Sequence, residues 1–363
     1  MDLKQLSDTE LRQLETKVEF DISKYHNFQL AKKIQLNSAY GAMGNQYFRF
    51  FDIRLAEAVT LSGQLVIQWI AKDVNLYLNT LLKTKDSDYV VAIDTDSVYI
   101  SLVSVMEKIA KDKDVSIAVD LMDKFCEKKL QQVINKSCNS LAKYLNSYQQ
   151  KMIMKREALA DKALWTAKKR YALNVYDLEG VRYTEPSLKI MGIEAVKSSY
   201  PEICRDTIKE TLKLIMSTDN ESVINFIDKF RKEFHGMTPE EIGYSSSVSY
   251  LRKYEELDGS PKKGTPYNSK SSLLYNKLLK DNGLLKKYEE IKEGDKIKTI
   301  YLKEPNPISY NYIAFKNVLP KELGLEKFID YDAQYDKVYL SPIKTILTAI
   351  GWETEHTNVL EFE

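Results

Sequence analysis

The chain has 363 residues, 44% of them hydrophobic and 29% charged, which calls for a folded protein of two or three domains with a sizeable core. Its 53 basic and 52 acidic residues sum to +1, a balance that says nothing about how the charges are segregated along the chain. Three cysteines without a CxxC pair and three histidines without ligand spacing argue against a disulfide framework or a structural zinc, and no apolar run approaches the roughly 20 residues of a membrane helix.

The opening MDLKQLSDTELRQ is too polar for a signal peptide, so an intracellular, cytoplasmic protein is expected. Ser7-Asp8-Thr9-Glu10 has the form of a capping box, with Leu6 and Leu11 placed as a hydrophobic staple. The pattern predicts a helix from there to about Gly44, with a break near Asp21–Ser23. Within it, AKKIQLNSAYGAMGN sets Lys33, Asn37 and Tyr40 at i, i+4 and i+7, on one face. A cation, an amide and a phenol in a row suit a nucleotide, and Gly41 would let a backbone or base approach closely. On spacing alone, a solvated helix face is the commoner explanation.

Apolar residues from Leu55 to Leu78 recur at helical spacing and predict a helix over 54–82. DYVVAIDTDSVYI then reads as two strands meeting at a polar turn. Asp94 and Asp96, at i and i+2, can aim two hard oxygen ligands at one divalent cation, or they can simply make an Asx-type turn. The DxD pattern also occurs in metal-dependent transferases that bind nucleotide-sugar diphosphates.

Helices are expected near 115–149. KREALADKALWTAKKRYALNVYD gathers Lys155, Arg156, Lys168, Lys169, Arg170 and Tyr171, a basic and aromatic mixture suited to a nucleic-acid backbone, or an ordinary charged surface. Glu157 is the acid at its start that could approach a metal site. Alternation through Tyr171, Leu173 and Val175 into a turn at Asp177–Gly180 predicts a second hairpin. A helical pattern returns over 200–235, and DGSPKKGTPYNSKSS predicts a loop at 258–272.

Taken in order, KIQLNSAYGAMGNQYFRFFD, GQLVIQWIA, DTDSVYI, KKRYALNVYD and EPSLKIMGIEAVKSSYP resemble the C-terminal half of a family B DNA polymerase of the T4-like bacteriophage type. The likeness runs from about residue 25 to 235 and more loosely to the C-terminus. It implies an α+β fold: a helical fingers segment, a palm with an antiparallel sheet and flanking helices, and a mainly helical thumb. The implied divisions are 1–45 for the second fingers helix, 46–192 for the palm, and 193–363 for the thumb and tail.

By position, the resemblance makes Lys33, Asn37, Tyr40 and Gly41 the grip on the incoming deoxynucleotide, with Lys33 counted among the catalytic residues. It makes Asp94 and Asp96 catalytic metal ligands for two magnesium ions, with Glu157 a third acid nearby. Lys168, Lys169, Arg170 and Tyr171 become the element that holds the primer end, and Lys262, Lys263 and Lys270 become phosphate contacts of the thumb.

Two departures qualify the match. The Tyr-Gly that commonly precedes DTDS is Ala92-Ile93 here, and the upstream strand motif DxxSLYPS, which carries the family's other metal-binding aspartate, does not occur. With a helix start so near Met1, the expectation is the C-terminal subunit of a split polymerase. An N-terminal partner would supply the missing aspartate, the exonuclease and the first fingers helix. By the same resemblance the end, NVLEFE, which keeps Leu360 and Phe362 but finishes in Glu363, is expected to dock on a sliding clamp. The rival expectations are a non-catalytic DNA-binding remnant and a nucleotide-sugar transferase.

Overall fold

A computed structural model describes residues 6–356 as an α+β chain that divides into two compact units, Met1–Arg156 and Glu157–Glu363. In the first unit, α1 (Asp8–Met43) opens on the expected capping box. Ser7 Oγ accepts from the Glu10 amide while the Glu10 carboxylate accepts from the Ser7 amide at 2.9 Å. The helix runs without the expected break at Asp21–Ser23. The polar Asp21 and Ser23 lower helix propensity by only tenths of a kcal/mol each, about what the surrounding helix formers return, so the ladder continues. None of its residues is buried, and Val18, Ile22, Tyr25, Phe28 and Leu36 lie exposed along it.

The core of this unit is made by α2 (Ile53–Leu82), whose Ile67, Ile70, Val74 and Leu78 recur at helical spacing and are buried. The hairpin strands β1 (Val90–Asp94) and β2 (Ser97–Ile100) follow, then α3 (Val103–Ile109), α4 (Val115–Phe125) and α5 (Gln131–Tyr144). A π-helical stretch, Cys126–Leu130, joins α4 to α5. α5 lays Ile134, Cys138 and Leu141 against α2, and Trp69 closes the far end by donating to Ser140 Oγ at 3.3 Å and packing on Tyr144.

The second unit begins with a three-stranded antiparallel sheet in sequence order: β3 (Ala158–Ala167), β4 (Arg170–Leu178) and β5 (Val181–Met191). The β4–β5 hairpin turns at Glu179–Gly180, both with positive φ, inside the predicted Asp177–Gly180 turn. The strand β3 was not foreseen. Its alanines and leucines favour helix intrinsically, and cross-strand pairing with β4 overrides that preference.

The helices α6 (Glu202–Ser217), α7 (Asn220–Phe234) and the one-turn α8 (Pro239–Ile242) lead into a second three-stranded sheet. That sheet holds β6 (Tyr244–Ser247), β7 (Lys296–Tyr301) and β8 (Tyr312–Phe315), with α9 (Leu251–Tyr254) and α10 (Tyr267–Asp281) inserted between its first two strands. α10 starts inside the predicted 258–272 loop, Pro266 serving as its N-cap. The chain closes on α11 (Tyr331–Tyr335), a π-helical stretch and α12 (Ser341–Ala349). Phe230 and Phe234 of α7 pack on Tyr335 and Tyr339, whose hydroxyls reach Ile227 O and Thr211 Oγ1 at 2.8 Å each. These large aromatics are buried with both phenols hydrogen-bonded.

Candidate active site

The acid hairpin is a two-residue turn. Asp94 pairs with Ser97 across the ladder, leaving Thr95 and Asp96 at the tip, with Thr95 in the left-handed region at φ 51° and the Asp96 amide donating to Asp94 O at 2.6 Å. A β-branched residue there costs on the order of 1 kcal/mol, a strain found chiefly where function fixes a backbone. Asp94 is half-buried and accepts from Thr95 Oγ1 at 3.0 Å, while Asp96 is exposed. Among the described residues, neither carboxylate has a cation partner.

The hairpin is anchored from α2 by two asparagines one turn apart, which the sequence reading did not single out. Asn75 Oδ1 accepts from the Tyr89 amide at 2.8 Å and its Nδ2 donates to Asp88 at 2.8 Å. Asn79 takes the Ser87 amide at 3.0 Å and donates to the Ser87 carbonyl at 2.8 Å. Together they tie residues 87–89, the entry to β1, to α2. The signal was an i, i+4 Asn pair near the C-terminal end of an amphipathic helix.

On α1, Lys33, Asn37 and Tyr40 share a face over about 10 Å of helix, and all are exposed. A Cβ on Gly41 would meet nothing within 4 Å, so the space beside it is open to a ligand.

The other expected residues belong to the second unit. Glu157 precedes β3 and is ion-paired with Lys189. Lys168 and Lys169 form the β3–β4 turn and are exposed, with Lys169 at φ 62°. Arg170 turns back to Glu194 at 2.6 Å, and Tyr171 is buried with its ring 6.1 Å from Trp165. Lys262 and Lys263 are exposed in a loop tied back by the Lys262 amide donating to Tyr254 O at 2.9 Å. Lys270, on α10, stands 4.5 Å over the Tyr310 ring. Leu360 and Phe362 lie outside the described residues.

Asp94 and Asp96 are hard oxygen donors suited to a divalent cation. Among the described residues, however, no group of three or more His, Cys, Asp or Glu gathers in a way that could hold one. The donor set fits magnesium in kind and falls short in number. Within the described residues no helix is long and apolar enough to cross a membrane.

The profile of DNA polymerase family B matches residues 8–350, so the chain belongs to that family. It is 35% identical over 348 residues to the DNA-directed DNA polymerase of Enterobacteria phage T4, covering 92% of this chain and 38% of that protein. Against the DNA-directed DNA polymerase of Escherichia phage RB69 the identity is 34% over 342 residues, 90% of this chain and 37% of the relative. The DNA polymerase alpha catalytic subunit of Trypanosoma brucei brucei is 26% identical over 205 residues, 56% of this chain and 13% of that one. The chain thus spans less than two fifths of the length of its phage relatives.

Proposed function

We propose that this chain is the C-terminal catalytic portion of a template-directed DNA polymerase. In this reading 1–45 is the second fingers helix, 46–192 the later part of the palm, and 193–363 the thumb and tail. The observation that carries it is the pair Asp94 and Asp96, without a basic partner among the described residues, on a strained, asparagine-anchored turn in a chain of this family.

Asp96 and Asp94 would hold magnesium, and Glu157 would have to leave its ion pair with Lys189 to join them. When bound, two such ions lower the charge barrier at the attacking primer hydroxyl and the leaving pyrophosphate. Lys33 and Asn37 receive the triphosphate of the deoxynucleotide, Tyr40 abuts the nascent pair, and open space at Gly41 admits it. Lys168 and Lys169 take primer phosphates, Tyr171 supports them from beneath, and Lys262, Lys263 and Lys270 follow the duplex.

Two carboxylates are fewer than a two-ion site uses, so the remaining aspartate comes from sequence outside these residues. We assign it to an N-terminal partner chain that also brings the exonuclease and the first fingers helix. The uncovered apolar surface of α1 supports this, because a 36-residue helix with no buried residue lacks the packing that normally stabilises one. The tail at Leu360 and Phe362 is proposed to dock on a sliding clamp. Deleting 358–363 should remove clamp-dependent processivity and leave distributive extension intact, and unchanged product lengths with clamp would reject the docking.

The test of the reading is primer extension by the chain complemented with a polypeptide carrying the family's first palm strands. Incorporation that follows the template base and requires a divalent cation supports it. DNA binding with no incorporation favours the alternative of a non-catalytic DNA-binding remnant. In the complemented enzyme, Lys33→Ala should raise the apparent deoxynucleotide KM and lower turnover, together costing roughly 10²–10³ in kcat/KM. An unchanged kcat/KM would remove Lys33 from the nucleotide site.

A further inference from the structure

The basic turn between β3 and β4 is gripped from behind by the end of β5. Gly192 has φ 67°, and a Cβ placed on it would fall 2.0 Å from the carbonyl oxygen of Lys169. Two residues further on, the Glu194 side chain is only 7% exposed and uses both oxygens, accepting from Arg170 at 2.6 Å and from Lys197 at 2.9 Å. Burial pushes its carboxyl pKa up, but the hydrogen bonds from Lys197 and Arg170 overcome this and hold it below the usual carboxylate range. Arg170 is the first residue of β4 and pairs with Ala167 across the base of the turn. A change in how the Arg170 side chain is held can therefore shift the backbone of the Lys168–Lys169 turn.

A buried ion pair is seldom the most stable solution, since well-packed apolar residues of similar volume often do as well. What it supplies is a specific orientation. We propose that Glu194 is a positioning residue which, through Arg170, aims the Lys168–Lys169 turn at the phosphates of the primer strand. Arg170 is then an internal strut, not a phosphate contact. The inference rests on the polymerase reading only for the identity of the ligand.

The experiment measures primer–template affinity of the full chain by fluorescence anisotropy, with amide hydrogen exchange at residues 168–171. Glu194→Gln removes a negative charge near an anion-binding turn, so Coulomb attraction alone would tighten binding. Positioning predicts the opposite sign, a weakening of about tenfold, because a displacement near 1 Å is costly. Arg170→Lys keeps the charge and loses the planar fork, and is expected to weaken binding to a similar degree. In both variants exchange at the turn rises.

Binding by Glu194→Gln as tight as wild type or tighter, or an Arg170→Lys chain within about twofold of wild type, overturns the assignment. Should Glu194→Gln fail to fold, Arg170→Lys carries the test with every charge retained. If neither the unsubstituted chain nor its complemented form binds primer–template, the polymerase reading fails while the exchange data still decide whether Glu194 holds the turn.

Discussion

Replacing Asp96 by alanine is expected to lower nucleotide incorporation by the proposed complemented polymerase at least about a thousandfold, with primer–template affinity staying within about twofold. The separation follows from where the residue sits. Asp96 lies at the tip of the β1–β2 turn, exposed, with no cation partner among the described residues, whereas the basic side chains assigned to DNA lie elsewhere. Removing it takes away one of the two carboxylates at the turn, and the other, the half-buried Asp94, is already assigned to the cation. The turn itself survives, since its geometry is set by the Asp94–Ser97 pair and by the asparagines beneath β1. Asp96→Asn, which keeps the shape and deletes the charge, should fall with Asp96→Ala. Single-turnover incorporation is the measurement, and a loss below about tenfold would take the cation away from Asp96.

Gly192→Ala is the second large effect, and it comes from sterics alone. The left-handed backbone at φ 67° costs a residue with a Cβ on the order of 1 kcal/mol. The new methyl would also sit 2.0 Å from Lys169 O and 3.1 Å from Lys169 C, both backbone atoms of the turn. No rotamer relieves a backbone overlap, so β5 or the basic turn must move by roughly 1 Å, and repacking of that size costs about 1–3 kcal/mol more. The unfolding midpoint should fall by the equivalent of about 2–4 kcal/mol, and primer–template affinity should fall with it. Gly180→Ala is the control, also at positive φ but with nothing within 4 Å of its Cβ, so it should pay the backbone cost alone. Equal losses in the two variants would show that the close approach at Gly192 is unimportant.

What the sequence discloses and what it hides divide along a physical line. The capping box at Ser7, the apolar spacing of α2, the DTDS hairpin and the turn before Val181 are all local, decided by neighbours within a few residues, and all appear where expected. The strand β3 depends on β4 across the sheet, and β6 meets β7 only after some fifty intervening residues, so no local period announces either. The same holds at the site. Asp94, Asp96 and the KKRY segment carry recognisable spacing, while Asn75, Asn79, Gly192 and Glu194 reveal their work only once the chain folds them against their targets. Arg170 shows the limit most plainly, because in sequence it is one more cation in a basic run, and in the fold its charge is spent on Glu194.

The central proposal is that these residues hold two carboxylates of a metal cradle whose remainder is supplied from outside them. Single-turnover incorporation into primer–template, with magnesium and deoxynucleotides, compares the purified chain with the same chain plus the N-terminal polypeptide. The account predicts no template-directed product from the chain alone and robust extension from the mixture. Extension by the unaided chain at a rate comparable to the mixture would contradict it.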